Sequence, residues 1–279
     1  MLGLGKLSIS YTERLALRAK DDGRLRLHLR VPSRYLSTAR HIAVYLPPGY
    51  ETGAGRYPVF YLQDGQNLFD PATAFGGHDW RADLTADELI RAGKIQPVIL
   101  AGIYNTGVRR ISEYTPTRDR RLRKGGKAAR YAQMLTREIK PFIDQTYRTR
   151  KAGAETAAGG SSLGALAALV AGIDYPRVFG KLALLSPSVW WDDHSILGLI
   201  EAWTPRQPRP RIWLDAGTAE GRNPKHMVED TRLLRNALAA KGCREGSDFH
   251  YEEAEGQAHN EQAWGERFGR VLEYLYPAK

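Results

Sequence analysis

The chain has 279 residues, 42% of them hydrophobic, a formal net charge of +10 and a single cysteine, Cys243. This length and apolar content suit one large α/β domain, and one cysteine excludes an internal disulfide framework or a multi-cysteine metal site. No apolar run approaches the roughly 18 residues of a membrane-spanning helix, and residues 1–12 lack the order of a secretory signal, so we expect a cytoplasmic protein.

Much of the positive charge lies between residues 109 and 130, which hold nine lysines and arginines but only Glu113 and Asp119 as acids. Clustered cations gain affinity for nucleic acids by releasing counterions from phosphates. No recognition helix, zinc module or aromatic-basic RNA motif accompanies this cluster, however. We therefore interpret it as a solvated loop and expect neither a nucleic-acid nor a membrane partner.

Two strands open the predicted fold, at residues 24–31 and 41–46, and form the antiparallel edge of a larger sheet. Short, continuously apolar strands separated by helical segments follow, which indicates strands buried on both faces of a mostly parallel sheet. We place them at 59–62, 97–104, 155–159, 182–185, 211–214 and 249–252. The sequence therefore predicts an α/β fold with about eight strands and helices on both faces.

The helices between these strands are the next predicted elements. Pro141 should kink the second of them, because proline lacks the N–H donor and clashes with the preceding turn. We place the helices at 84–92, 128–147, 165–173, 228–240 and 261–275.

No internal repeat or long linker divides the chain, so we interpret residues 1–279 as a single domain with 1–22 as an N-terminal extension. Irregular loops at 64–80, 105–126 and 186–209 each follow a predicted strand. Their first residues should gather at the carboxyl edge of the sheet, which is where open α/β sheets bind ligands.

A Gly160-x-Ser162-x-Gly164 motif lies between a predicted strand and a predicted helix. A serine on such a turn presents its hydroxyl above the sheet, and the flanking glycines keep β-carbons out of the crowded bend. Centring the motif on Ser161 would put Leu163 where a glycine is needed, so the spacing selects Ser162 as a nucleophile. A glycine-rich turn without a catalytic role would fit the same five residues. The presence of a histidine base and an acid elsewhere in the sequence must decide between the two interpretations.

A serine nucleophile needs a histidine base and an acid, in the chain order serine, acid, histidine when it lies on a strand-to-helix turn of this kind. His259 lies after the last predicted strand and before the last helix, and we prefer it to His226. Two carboxylates compete for the acid position after the penultimate strand. Asp215 lies at the strand end, whereas Glu220 lies in a loop whose glycines let it turn toward His259, so Glu220 is preferred and Asp215 is the alternative.

Two backbone N–H groups must also face the negative charge that develops on the ester oxygen. The N–H of Leu163, directly after the nucleophile, should supply the first. We expect the second from Gln66, in the loop after the third strand, where Gly65 would let the backbone approach a substrate closely. An ordinary Asp-Gly turn would explain the same loop residues without chemistry.

Together these residues resemble the Putative esterase family of α/β-hydrolases, which includes enterochelin, feruloyl and acetyl xylan esterases, S-formylglutathione hydrolases and mycolyltransferases. The likeness extends from about residue 44 to residue 274, and its most specific segments are 61–66, 113–116, 159–164, 186–191, 217–220 and 259–264. The resemblance implies an α/β-hydrolase fold. It places Ser162, Glu220 and His259 in a catalytic triad and Gln66 and Leu163 in the oxyanion hole. It also strengthens Glu220 as the acid, because family members carry the acid at the last position of a Gly-Thr-x-acid segment.

These interpretations predict a serine carboxylic-ester hydrolase that forms an acyl-enzyme with a small aryl, sugar-linked or siderophore ester, without a cofactor or metal. Arginines near the site favour esters of carboxylate-bearing or catecholate acids, and aromatic residues there suit aryl or sugar rings or simply pack the loops onto the domain. Acyl transfer to an alcohol and a binding module on a degenerate scaffold are the alternatives. The candidate substrate contacts are Asp64, Trp80, Arg110, Tyr114, Trp190, Trp191 and Trp264.

Overall fold

A computed structural model describes residues 24–205 and 207–278, so the expected extension at 1–22 lies outside the described residues. Ten strands follow one another along this part of the chain: β1 (Leu25–Val31), β2 (Arg40–Tyr45), β3 (Val59–Gln63), β4 (Ile99–Ile103), β5 (Arg118–Asp119), β6 (Lys124–Gly125), β7 (Thr156–Ser161), β8 (Lys181–Leu185), β9 (Arg211–Gly217) and β10 (Phe249–Ala254). All except β5 and β6 belong to one eight-stranded sheet, with the order β1-β2-β4-β3-β7-β8-β9-β10.

The pairing of the strands follows their sequence patterns. β1 and β2 pair antiparallel, as do β2 and β4, and every other pair in the large sheet is parallel. The parallel strands β3, β4 and β7 are buried along their whole length, because helices cover both faces, whereas the edge strand β1 is partly exposed. The predicted mostly parallel α/β sheet is confirmed.

In the residues that the structure describes, eight α-helices connect and cover the strands: α1 (Ala82–Arg91), α2 (Arg110–Tyr114), α3 (Ala128–Met134), α4 (Lys140–Thr146), α5 (Leu163–Asp174), α6 (Ser195–Ala202), α7 (Pro224–Ala240) and α8 (Glu261–Leu275). Alternate side chains of each strand enter two separate cores. Tyr61 of β3 joins the core that α3 and α5 cover, while its neighbours Phe60 and Leu62 join the core that α1 and α8 cover. Each face of the sheet is therefore sealed by helices.

Three local features differ from the sequence prediction. Helices α2 and α6 lie in segments that we expected to be irregular. They have five and eight residues, and such short helices do not show a recognisable apolar period in the sequence. The kink expected at Pro141 is replaced by a π-helical turn over Leu135–Ile139, directly before α4. Proline then falls in the first turn of α4, where its missing N–H matters least.

Residues 118–125 of the basic segment form the exposed hairpin of β5 and β6, while Arg110 lies in α2 and Arg130 in α3. Arg118, Arg120, Arg121, Arg123 and Lys124 all lie at the surface, which agrees with the expected solvated loop. None of the helices in the described part of the chain is long and apolar enough to cross a membrane.

Candidate active site

Ser162 lies at the sharp turn between β7 and α5. Its backbone has φ 56° and ψ −123°, a strained combination for a residue with a β-carbon, and its N–H donates to the carbonyl of Leu185 at 2.9 Å. A β-carbon on Gly160 would lie 2.9 Å from the β-carbon of Gln63, so only glycine fits beside the turn. The motif therefore forms the strand-to-helix elbow that lifts a serine hydroxyl above a sheet.

A chain of hydrogen bonds connects Ser162, His259 and Glu220. His259 follows β10 and Glu220 follows β9, so both reach the carboxyl edge of the sheet where Ser162 lies. The Ser162 Oγ lies 3.0 Å from His259 Nε2, and His259 Nδ1 lies 2.8 Å from Glu220 Oε2. A carboxylate that accepts from Nδ1–H leaves Nε2 free to take the serine proton.

Glu220 is fully buried, and its surroundings keep it ionised. Burial by itself disfavours the charge, but the hydrogen bond and charge of His259, together with the hydrogen bonds from Ser186 and Gly217, hold the pKa of Glu220 below its usual value. The second oxygen, Oε1, accepts from the N–H of Gly217 at 2.7 Å and from the hydroxyl of Ser186. The carboxylate therefore has a fixed orientation toward the imidazole.

The carboxylate of Asp215, the alternative acid, does not contact His259. Its Oδ2 accepts from the indole N–H of Trp213 at 2.7 Å, and its Oδ1 lies 3.1 Å from Nη2 of the fully buried Arg267. Burial raises the pKa of Asp215 to about 6, although Arg267 opposes the shift. Both carboxylate oxygens are thus engaged away from His259, and the structure brings Glu220 rather than Asp215 to the histidine.

Arg267 and Ser186 connect the two buried carboxylates. Arg267 Nη2 donates to Ser186 Oγ at 2.7 Å and lies 3.7 Å from Glu220 Oε1, while the indole N–H of Trp264 donates to the same serine oxygen at 2.9 Å. Ser186 in turn donates to Glu220. One cation therefore offsets two buried negative charges through a connected set of hydrogen bonds.

The two expected oxyanion donors, Leu163 and Gln66, belong to the helix that follows Ser162 and to the loop that follows β3. Leu163 is the first residue of α5, so its N–H has no acceptor one turn earlier in the helix. Gln66 lies in a single 3-10 turn, Gly65–Asn67, and lines the same cleft as Ser162. A β-carbon on Gly65 would lie 2.3 Å from the carbonyl carbon of Gly102, so glycine is required for the loop to lie this close to β4.

A cleft of about 500 Å³ opens above Ser162 and His259. Arg110, Glu261 and Trp264 line it, and Phe75, 80% exposed, stands at its edge. The ring of Trp264 packs edge-on against the imidazole of His259, with centroids 4.9 Å apart. The cleft therefore combines one cation, one acid and an aromatic wall around the serine.

Of the seven candidate substrate contacts, Arg110 and Trp264 line this cleft, and the other five do not. Trp80 and Trp191 are buried in the two cores, and Trp190 is half exposed outside the cleft. Trp80 and Trp191 pack their loops onto the domain, as the alternative interpretation of the aromatic residues held.

Asp64 and Tyr114 support Arg110 from below. The Asp64 carboxylate accepts two hydrogen bonds from the guanidinium, at 2.8 and 2.7 Å, and a third from the side-chain amide of Asn105 at 2.7 Å. The ring of Tyr114 lies 5.3 Å from the guanidinium carbon, and its hydroxyl accepts from the N–H of Asp64 at 3.2 Å. Both residues are buried, so they position Arg110 instead of lining the cleft.

Comparison with known proteins identifies the family. The profile of the Putative esterase family matches residues 33–275. The chain belongs to this family. It is accordingly an ester-hydrolysing enzyme, and its eight-stranded sheet is the α/β-hydrolase arrangement that the resemblance implied.

Individual relatives of this esterase are distant in sequence. The uncharacterized protein YbbA of Bacillus subtilis is 27% identical over 246 residues, which are 85% of this chain and 92% of YbbA. The siderophore triacetylfusarinine C esterase of Aspergillus fumigatus is 25% identical over 234 residues, 75% of this chain and 78% of that protein. The crystal structure of the BES protein from Bacillus cereus superposes with a TM-score of 0.71 at 20% identity, covering 99% of both chains, and therefore shares the fold.

Sequence reasoning missed several residues around the esterase site. Ser188 Oγ lies 3.0 Å from Ser162 Oγ, and Ser186, Arg267 and Glu261 were not singled out. Arg267 carried a detectable signal, because it falls in the apolar period of α8 with Trp264, Phe268 and Val271. Within the described ranges, no group of three or more histidine, cysteine, aspartate or glutamate side chains is placed to hold a metal ion.

Proposed function

We propose that this esterase hydrolyses carboxylic esters with Ser162 as nucleophile, His259 as base and Glu220 as the acid that orients the base. The observation that carries the proposal is the continuous hydrogen-bonded chain from Ser162 Oγ through both ring nitrogens of His259 to Glu220, with the serine on a strained elbow. This is the geometry by which a serine hydroxyl becomes nucleophilic at neutral pH.

The reaction has two steps. His259 Nε2 takes the hydroxyl proton as Ser162 Oγ bonds to the ester carbonyl carbon, and the N–H groups of Gln66 and Leu163 stabilise the resulting oxyanion. The imidazolium then gives its proton to the leaving alkoxy oxygen as the carbon–oxygen bond breaks, which leaves an acyl-serine. Water repeats the sequence, with His259 as its base, and releases the carboxylic acid.

For the substrate we propose a small ester whose acid portion carries a negative charge or a catechol-like ring. The cleft volume of about 500 Å³ is in the range of small-molecule sites. Arg110 is held in the cleft wall by Asp64 and remains 26% exposed, so it can meet an anionic group while Trp264 and Phe75 contact a ring. The name of the Aspergillus relative, a siderophore esterase, supports siderophore esters as candidate substrates.

The test compares the parent enzyme with Ser162→Ala on acetyl, butyryl, long-chain, feruloyl and siderophore esters. Because triad members act as a unit, kcat should fall by a factor on the order of 10⁴ to 10⁶. Ser161→Ala is the matched control, since this neighbouring serine is buried in β7, and it should keep parent activity. A fluorophosphonate should label the parent and the Ser161 variant but not the Ser162 variant.

Hydrolysis by Ser162→Ala at the parent rate would refute the assignment. Analysis of products in the presence of added alcohols distinguishes hydrolysis from acyl transfer, because a transferase would give a new ester in place of the free acid.

A further inference from the structure

Glu261 is a buried carboxyl group of the cleft for which the proposed reaction has no role. It is the first residue of α8, two positions after His259, and it is 7% exposed. Its Oε1 accepts a hydrogen bond of 2.7 Å from the side-chain amide of Asn67. Asn67 directly follows Gln66, so this contact joins the helix behind the base to the loop that carries an expected oxyanion donor.

Asn67 holds that loop together through each of its polar groups. Its side-chain oxygen accepts from the N–H of Phe75 at 3.0 Å, and its backbone carbonyl accepts from the N–H of Trp80 at 2.9 Å. Its backbone N–H donates to the carbonyl of Asp64 at 2.9 Å. These three contacts stay within the loop at 64–80, whereas the bond to Glu261 fixes the loop relative to the triad.

From this juxtaposition we infer that Glu261 is a positioning residue, which acts through Asn67 to hold the Gln66 N–H where the oxyanion forms. The inference rests on the proposed function, because it gives that N–H a role in the transition state. A donor of this kind works only if its direction is set before the charge develops. A displacement of about 1 Å at such a group costs on the order of 100-fold in rate.

The hydrogen bond, and not the charge of Glu261, carries this role. Burial raises the pKa of Glu261 to about 7, with the nearby Asp64 charge adding to the shift. The neutral carboxyl is therefore well populated at neutral pH, and a glutamine offers the same acceptor oxygen to Asn67. Glu261→Gln should consequently retain the activity that Glu261→Ala loses.

The experiment measures kcat and KM for a short p-nitrophenyl ester with parent, Glu261→Ala, Glu261→Gln and Asn67→Ala enzymes. We expect kcat to fall about 10- to 100-fold in both alanine variants, with KM nearly unchanged, because a transition-state contact is lost. Glu261→Ala combined with Asn67→Ala should cost little more than Asn67→Ala alone, since Glu261 acts through its contact with Asn67. Glu266→Ala is the matched control, because this glutamate lies exposed on the same helix.

A boronic acid that forms a tetrahedral adduct on Ser162 provides a second readout. Its inhibition constant should rise in both alanine variants in parallel with the fall in kcat, which a general loss of packing would not produce. If Glu261→Ala is unfolded under the assay conditions, as thermal unfolding would reveal, Asn67→Ala carries the same test with the glutamate intact.

Three results would overturn the inference. The first is a raised KM with unchanged kcat, which would make Glu261 a substrate contact. The others are an equal fall in kcat in the glutamine and alanine variants of Glu261, and additive falls in kcat in the double variant. Failure of the proposed function would give a different result from these three, because the parent enzyme itself would then show no hydrolysis that depends on Ser162.

Discussion

Replacing Arg267 with leucine removes the single cation from the buried cluster behind the triad. The guanidinium lies 3.1 Å from Asp215 and 3.7 Å from Glu220, and it donates to Ser186 at 2.7 Å, with all four side chains buried. Removing one partner of a buried ion pair costs about 3–5 kcal/mol, because the other charge is left without compensation. Since two carboxylates lose their partner here, we expect the free energy of unfolding to fall by about 5 kcal/mol at pH 8, the upper end of that range.

The loss should depend on pH, and the direction follows from Asp215. Its pKa in the folded protein, about 6, lies above its value of about 3.9 in an unfolded chain, so the folded state binds the extra proton between these values. The bound proton stabilises the folded state of the parent enzyme, and this contribution to the free energy of unfolding is lost as the pH rises through about 6. Without Arg267 the pKa of Asp215 rises further, so the decline continues above pH 6 and the variant differs from the parent more at pH 8 than at pH 5.5.

Urea unfolding at pH 5.5 and pH 8 measures the effect, with Arg270→Leu as the matched control. Arg270 is on the same helix but is 52% exposed, and its ion pair with Glu252 should contribute at most about 1 kcal/mol. Adding Asp215→Asn to the Arg267 variant should recover part of the loss at pH 8, because one uncompensated charge is gone. An Arg267→Leu enzyme as stable as the Arg270 control, or equally destabilised at both pH values, would refute this account of the cluster.

Three further predictions concern the site itself. Glu220→Gln should lower kcat about 10⁴-fold, as loss of the orienting acid does in a serine triad, while Asp215→Asn should leave kcat within about tenfold of the parent. An equal fall in kcat in the two variants would contradict the assignment of Glu220 as the acid. Arg110→Met should raise KM for an anionic ester about 10-fold and leave a neutral ester of the same size unchanged, so a steady-state comparison of the two substrates tests the proposed acid class. Gly65→Ala should lower kcat at least about 10-fold, because its β-carbon would meet the backbone of Gly102 and displace the oxyanion loop; unchanged kinetics with a folded protein would contradict this.

The sheet and the triad geometry followed from local sequence signals. Continuous apolar strands separated by helices indicate parallel pairing, and the end of each such strand marks the edge where side chains meet. Ser162 comes directly after β7, and Glu220 and His259 lie in the loops that follow β9 and β10, so the structure brings the three side chains together at this edge.

The supporting residues could not be deduced in this way. The contact between Asn67 and Glu261 joins positions that are 194 residues apart, and although Glu261 lies in the segment 259–264 of the family resemblance, no local pattern pairs it with Asn67. Three of the four candidate tryptophans lie outside the cleft for a related reason: an aromatic residue in an edge loop can line a cleft or anchor the loop, and only packing decides between these. Trp191 and Trp80 anchor their loops, and Trp264 does both, because its indole N–H reaches Ser186 while its ring meets His259.

Helix α5, which begins directly after Ser162, is enclosed on nearly every side: ten of its twelve residues are buried, as is all of β7 before it. Amides in such segments exchange with solvent only when the whole protein unfolds. His259 lies instead in a partly exposed loop, at 255–260, which can open locally at a smaller free-energy cost. On heating, we therefore expect ester hydrolysis to fall before the helical circular dichroism signal does, because the loop that carries His259, the proposed base, opens while Ser162, the proposed nucleophile, stays in place.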